Sequence, residues 1–183
     1  MQLNFQHQVL IGTILGGSSL VRPPKGKNYY LSMRSKNAQW LQYKMAELHT
    51  YYEGKDLHQY GNTYRANSMC SPKLTELQGE IYEGNERRID MSVLDLLRDI
   101  ALAIWYLDGG GKTGRGRKNA YLNTTKLGED GTDVALKYFN EIGIPCRINH
   151  DGNRLKLLFT VDGTQTFFKI IAHQFPQFMY YRL

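Results

Sequence analysis

The sequence predicts an α+β fold made of two similar units, each running helix, strand, strand, helix, strand, strand, helix (αββαββα). Three observations predict it. First, the apolar stretch Leu10–Ser18 (LIGTILGGS) has a counterpart at Leu102–Gly110 (LAIWYLDGG), half a chain later, and glycine or serine stops each helical run. Second, each stretch is followed by a basic window without a single acid. Third, the remainder of each half carries alternating runs closed by turn formers, interleaved with helical patterns. Strands with one apolar face need helices to cover that face, which gives α+β layers. The units are taken as 1–90 and 91–183, with the polar, unpatterned Glu83–Asp90 as linker.

The elements follow in order. Gln6–Gly16 has helical rhythm in Val9, Leu10, Thr13 and Ile14, and Gly12 and Gly16 lie on one face where another backbone can approach. Leu20–Arg22 and Tyr29–Ser35 are expected as strands joined by Pro23-Pro24-Lys25-Gly26-Lys27. In the second strand Tyr30, Ser32 and Arg34 share one side, because side chains alternate. Ala38–Tyr52 reads as an amphipathic helix with Leu41, Met45, Leu48 and Tyr52 on its stripe. A strand is expected over Asn62–Met69, paired near Leu57–Tyr60, and Ser71-Pro72 opens a helix to about Tyr82. The second unit begins with one helix over Ser92–Asp108, apolar almost all round at its end, as suits a rod buried between two lobes. A Gly/Arg-rich hairpin over Gly109–Lys118 leads into strand Asn119–Thr125, and a helix follows over Thr132–Ile142. Cys146–His150 and Arg154–Val161 form a hairpin across Asp151-Gly152, then come helix Gly163–Gln174 and an aromatic tail, Phe175–Leu183.

Composition narrows the function classes. With 42% hydrophobic and 12% aromatic residues, the 183-residue chain can bury a core. The longest apolar run, Ile100–Leu107, is too short for a bilayer, which takes about 20 residues. No charged stretch followed by an apolar core opens the chain, so an intracellular protein (cytoplasm, nucleoid or organelle matrix) without membrane partners is expected. Cys70 and Cys146 are far apart and lack CxxC spacing, and the five histidines form no i, i+4 pair, which argues against a zinc centre. Of 23 basic residues, ten fall in the windows Arg22–Lys36 and Lys112–Lys126, which contain none of the 17 acids. A charge run is often only a solvated face, but recurrence at the same place in both units points to an anionic partner, most plausibly nucleic acid.

These residues resemble the LAGLIDADG homing endonucleases in their two-motif, single-chain form. The nine-letter motif lays without a gap on Leu10–Ser18 and Leu102–Gly110, and the similarity continues through NYYLSMRSKNAQWLQYK, AIWYLDGGGK, YLNTTKL and the closing MYYRL. The resemblance implies a saddle. Two motif helices pack side by side at its centre, and two antiparallel sheets lie in the major groove of a long, partly symmetric double-stranded DNA target, bound by a monomer. The major groove admits a β-ribbon and presents a distinct donor and acceptor pattern for each base pair. Groove and phosphate candidates are Arg22, Lys25, Lys27, Tyr30, Ser32, Arg34, Lys112, Arg115, Arg117, Lys118, Asn119, Tyr121 and Asn123; the bland alternative turns half of them into the helix-covered face.

The resemblance also implies chemistry. The last acid of each motif holds a divalent cation such as Mg²⁺ beside a scissile phosphate, where the metal polarises the phosphoryl oxygen and activates water. Those positions are Gly17 and Gly109 here, and neither offers a side-chain ligand. Asp108 projects about 100° away around the helix; with the Gly16 carbonyl it is a weak residual metal ligand at most. Ser35, Lys36, Thr125 and Lys126 fall where the family organises water and phosphate charge, and Arg88 and Arg182 are lesser candidates. The expectation is a binding-competent, cleavage-deficient scaffold; the alternative is a non-cleaving DNA- or RNA-binding descendant such as a splicing maturase or a regulator.

Overall fold

Two helices carry the motif stretches, and everything else is arranged around them. In a computed structural model that describes residues 4–84 and 86–183, α1 spans Phe5–Leu15 and α6 spans Asp99–Gly109. The Asn4 side chain caps α1 by accepting from the His7 amide at 2.9 Å. Gln8–Leu15 of α1 and Ile100–Leu107 of α6 are buried without interruption, so neither helix has a polar face. Their separation is set by small residues: a Cβ on Gly12 would lie 2.5 Å from the Ala101 carbonyl oxygen, and one on Gly16 would overlap the Asp108 Cβ.

Each helix leads into a four-stranded antiparallel sheet. The first holds β1 (Ser19–Val21), β2 (Tyr30–Ser35), β3 (His58–Tyr60) and β4 (Thr63–Asn67) in the order β1-β2-β4-β3. The second holds β7 (Gly110–Thr113), β8 (Asn119–Asn123), β9 (Cys146–Asp151) and β10 (Arg154–Phe159) in the matching order β7-β8-β10-β9. Helices α2 (Ala38–Glu47), α3 (His49–Tyr52) and α4 (Pro72–Ile81) complete the first half, and α7 (Gly128–Glu141) and α8 (Val161–Ile171) the second. Leu31 and Met33 of β2, and Ala120 and Leu122 of β8, are fully buried under them. One apolar core runs from Val9 through both halves to Met179. Among the described residues, no helix is long and apolar enough to cross a membrane.

The structure departs from the expected elements in four places. The helix expected over Ser92–Asp108 is broken into α5 (Met91–Leu94) and α6, because Gln8 of α1 takes up the backbone groups at the break. Gln8 donates to the Leu96 carbonyl at 2.7 Å and accepts from the Arg98 amide at 2.8 Å. Ala38–Tyr52 is split at Leu48, whose ψ of 30° leaves the helical range. The linker is not featureless: Tyr82–Glu83 (β5) pairs with Glu86–Arg87 (β6). Helix α7 starts at Gly128 rather than Thr132, directly after a 3-10 turn over Thr125–Leu127. The tail folds as a 3-10 segment, Gln177–Arg182, with Met179 buried and Phe178 edge-on to Tyr43.

Candidate nucleic-acid interface

The side of each sheet away from the helices is built from the residues that alternate with the buried ones. On β2 these are Tyr30, Ser32 and Arg34, and on β8 they are Asn119, Tyr121 and Asn123; none of the six is buried. Neighbouring strands add Arg65 and Asn67 on β4, Arg147 and Asn149 on β9, and Arg154 and Lys156 on β10. These six were missed in the sequence. Their strands are recognisable there, and reading the alternation one strand further would have found them. Lys25, Lys27, Arg115, Arg117 and Lys118 are exposed beyond the strand ends, in the loop after β1 and the 3-10 turn before β8.

Several candidates already have partners within the chain. Arg22 Nε donates to the Gly26 carbonyl at 3.0 Å and braces its own loop. Lys112 Nζ donates to the Leu183 carbonyl at 2.8 Å and lies over the Phe168 ring. Asn119 Nδ2 donates to the Phe159 carbonyl, Ser32 Oγ to Asn67 Oδ1, and the Thr125 hydroxyl is tied to the Leu155 backbone. Ser35 Oγ accepts from the Asn37 amide and Asn123 Oδ1 from the Thr125 amide, so both organise strand ends.

The tips of α1 and α6 sit between the two open faces, with a cavity on either side. The first, about 700 Å³, is bordered by Gly16, Gly17, Ser32, Arg34, Lys36, Arg65, Lys126 and Arg182. The second, about 450 Å³, is bordered by Gly17, Gly109, Tyr121, Arg154, Lys156 and, again, Lys126. Sequence-expected Gly17, Ser35, Lys36, Lys126, Arg34 and Ser32 meet around the first cavity, and Gly109, Thr125, Asn123 and Tyr121 around the second. Arg88 lies elsewhere, paired with Glu83 on the surface.

At the tips the chemistry is cationic. Lys126 Nζ donates to the Gly17 carbonyl at 2.6 Å, and Arg182 Nη2 donates to the Gly110 carbonyl at 2.6 Å. A basic group suits the partial negative end of a helix. Burial, and then the charge of Arg87, draw the Lys126 pKa below the usual lysine value. Burial, only partly offset by Arg182, pushes the Tyr106 phenol up to about 12, so it stays protonated and donates to the Arg182 carbonyl at 2.9 Å.

Asp108 is the one acid at the tips, and its carboxylate is spent. Lys44 Nζ donates to both oxygens, at 2.9 and 2.6 Å, and Trp40 Nε1 donates to Oδ1 at 2.5 Å. The Lys44 side chain is 1% exposed and that of Asp108 9%. Asp108 borders both cavities, but Lys44 and Trp40 donate three hydrogen bonds to its carboxylate, so a cation there would compete with that ion pair. Neither Lys44 nor Trp40 carried a signal in the sequence, since they reach Asp108 from 64 and 68 positions away. Among the described residues, no cluster of three or more His, Cys, Asp or Glu is placed to hold a metal.

The chain and its fold are similar to those of known proteins. Residues 7–167 match the model of the LAGLIDADG DNA endonuclease family. RecA from Mycobacterium shimoidei is 28% identical over 97% of the chain. The chain spans about half the length of that relative (46%). Among solved structures, the homing endonuclease I-WcaI bound to its DNA recognition sequence superposes with a TM-score of 0.87 at 21% identity, covering 100% of this chain and 87% of that one. I-DmoI in complex with DNA and Mn superposes with a TM-score of 0.62 at 15% identity, over 93% and 98% of the two chains.

Proposed function

Since the chain belongs to the LAGLIDADG DNA endonuclease family, we propose that it binds a specific stretch of double-stranded DNA along its two open sheet faces and holds it uncut. The observation that carries this reading is the pair of glycines at the helix tips, flanked by basic cavities. The family chemistry needs a carboxylate at each tip to hold a divalent cation. At Gly17 the backbone has φ of 130°, a conformation L side chains rarely adopt, and a Cβ on Gly109 would lie 3.0 Å from the Gly16 carbonyl oxygen. With Asp108 engaged by Lys44, the donor set does not suit Mg²⁺, and no cleavage step is assigned to this chain.

On this reading the residues divide by role. Arg34, Arg65, Arg147 and Arg154 on the open faces meet phosphates or guanine edges, while Ser32, Asn67, Tyr121 and Asn149 supply adaptable contacts. Because one chain carries both halves, it acts as a monomer on a long, partly two-fold target inside the cell. A role tied to intron or intein mobility is the family expectation for such a scaffold.

The test is selection from a randomised duplex library, followed by sequencing of the bound fraction before and after incubation with Mg²⁺. A long, roughly symmetric site recovered intact supports the reading, and recovery of cut ends at the centre of the site refutes the non-cleaving part. Displacement of the duplex by folded intron RNA at lower concentration would favour the RNA-binding alternative.

A further inference from the structure

The tail brings one large aromatic side chain to the first tip cavity and leaves its faces uncovered. Tyr181 lines that cavity together with Arg34, Lys36, Arg65 and Lys126, and it is 71% exposed. Among the described residues, no aromatic ring or cation lies over its own ring. A single exposed tyrosine is ordinary, but its mounting here is not. On one side Met179 is buried, and its sulfur accepts from Asn37 Nδ2 at 3.7 Å. On the other side the Arg182 carbonyl accepts from Tyr106, Arg182 Nη2 donates to the Gly110 carbonyl, and the Leu183 carbonyl accepts from Lys112. The residues flanking Tyr181 are thus pinned to both halves of the chain while its ring stands out from them. The second cavity differs: its aromatic residue, Tyr121, is half-buried on β8 and has Lys156 over its ring at 5.1 Å.

Cations around a cavity track a nucleic-acid backbone, and an aromatic ring held among them offers a face on which a base can stack. Tyrosine presents a broad, flat contact with only two side-chain torsions to fix, and pinned neighbours leave little more to be ordered on binding. We propose that Tyr181 is a base-stacking residue that wedges against one base step of the bound duplex, on the first half's side of its centre. Opening a step costs least where that step is flexible or mismatched, and stacking on the ring offsets the cost. The distortion is one-sided, although the strand order of the two halves matches, because Tyr121 at the second cavity is already covered by Lys156. At this step the target is selected by ease of unstacking rather than by hydrogen bonds to base edges. This inference rests on the DNA-binding reading above.

The experiment is fluorescence anisotropy, over a salt series, with the duplex recovered by selection and with copies of it carrying one mismatched pair at each central step in turn. The proteins are the full chain and its Tyr181→Ala and Tyr181→Phe variants, each with its thermal midpoint measured. The full chain is expected to bind several-fold more tightly when the mismatch falls at one step to one side of the centre, because the unstacking cost is then already met. Tyr181→Ala is expected to weaken binding of the intact duplex by about tenfold, within the range of base–aromatic stacking, and to lose the preference for the mismatch. Its thermal midpoint and its slope of log affinity against log salt are expected to stay unchanged, since a neutral, exposed side chain releases no counterion. Tyr181→Phe keeps the ring and is expected to keep both the affinity and the preference. Binding by Tyr181→Ala within about twofold of the full chain overturns the proposal, being less than stacking on a base contributes. A mismatch preference that survives in Tyr181→Ala, or is absent from the full chain, overturns it too. Tyr181→Phe binding as weakly as Tyr181→Ala makes the hydroxyl the contact and overturns stacking, and an earlier melt of Tyr181→Ala gives the ring a structural part and does the same. A full chain that binds no duplex refutes the DNA-binding reading itself, and the inference with it.

Discussion

Single residues decide whether this tip holds a metal or a cation of its own. Asp108 is the case in point. Its place in the sequence marks it as the lone acid of two motifs, but the fold turns it onto Lys44 and Trp40. Lys44→Met removes the ammonium and strands a buried carboxylate, a change that costs about 3–5 kcal/mol. The lower end is expected because Trp40 still donates, and urea unfolding of the variant measures it. Cysteine offers a second check. Burial pushes the Cys146 thiol up to about 12, whereas Cys70 is exposed. At pH 8 a thiol reagent is expected to modify Cys70 rapidly and Cys146 only after denaturant is added, since the thiolate is the reactive form. The sign for stability follows. The native state keeps the Cys146 proton after the unfolded state has lost its own, so this group's contribution falls as pH rises from about 8.5 towards 12. Equal labelling of both thiols in the native protein contradicts the burial.

Elements show why the paired helices can sit as they do. Gly12 and Gly16 let α1 approach α6 closely, and the sheet that follows each helix has the same strand order. Gly12→Ala places a methyl 2.5 Å from a carbonyl oxygen that cannot rotate away. It is expected to destabilise the chain by about 1–3 kcal/mol, the usual range for overpacking, read as a lowered thermal midpoint. An unchanged midpoint contradicts the close crossing. At Gly17 the cost is conformational instead: φ of 130° costs a non-glycine residue about 1–3 kcal/mol. Restoring the acid by Gly17→Asp is therefore expected to lower stability even though nothing crowds the position.

The sequence was most legible at this scale. Alternation placed Tyr30, Ser32 and Arg34 on one side of β2, and the glycine stops placed both helix ends, because these patterns are local. The break before α6 was not legible, since it depends on Gln8, 88 residues before the Leu96 carbonyl it caps. The same holds for the Lys44–Asp108 pair, whose meaning comes from what folding brings together.

At the scale of the whole molecule, the two open faces and the cavities between them make one surface only if the halves stay joined at the tips. The tail strengthens that joint: Arg182 holds the end of α6 while Met179 lies against Asn37 of the first half. Reversing a charge on each face, Arg34→Glu on β2 and Arg154→Glu on β10, is expected to weaken duplex binding and flatten its salt dependence by similar amounts, because the proposed reading gives each face its own phosphate contacts. An effect from one face alone would assign binding to half of the chain.

Hydroxyl-radical footprinting of the chain on a duplex recovered by selection, in buffer containing Mg²⁺, addresses the central claim in a single experiment. Two protected blocks flanking an unbroken centre are the result expected of a two-faced saddle that holds its target without cutting it. Protection on one side only, or strand breaks at the centre in the absence of radical, would contradict it.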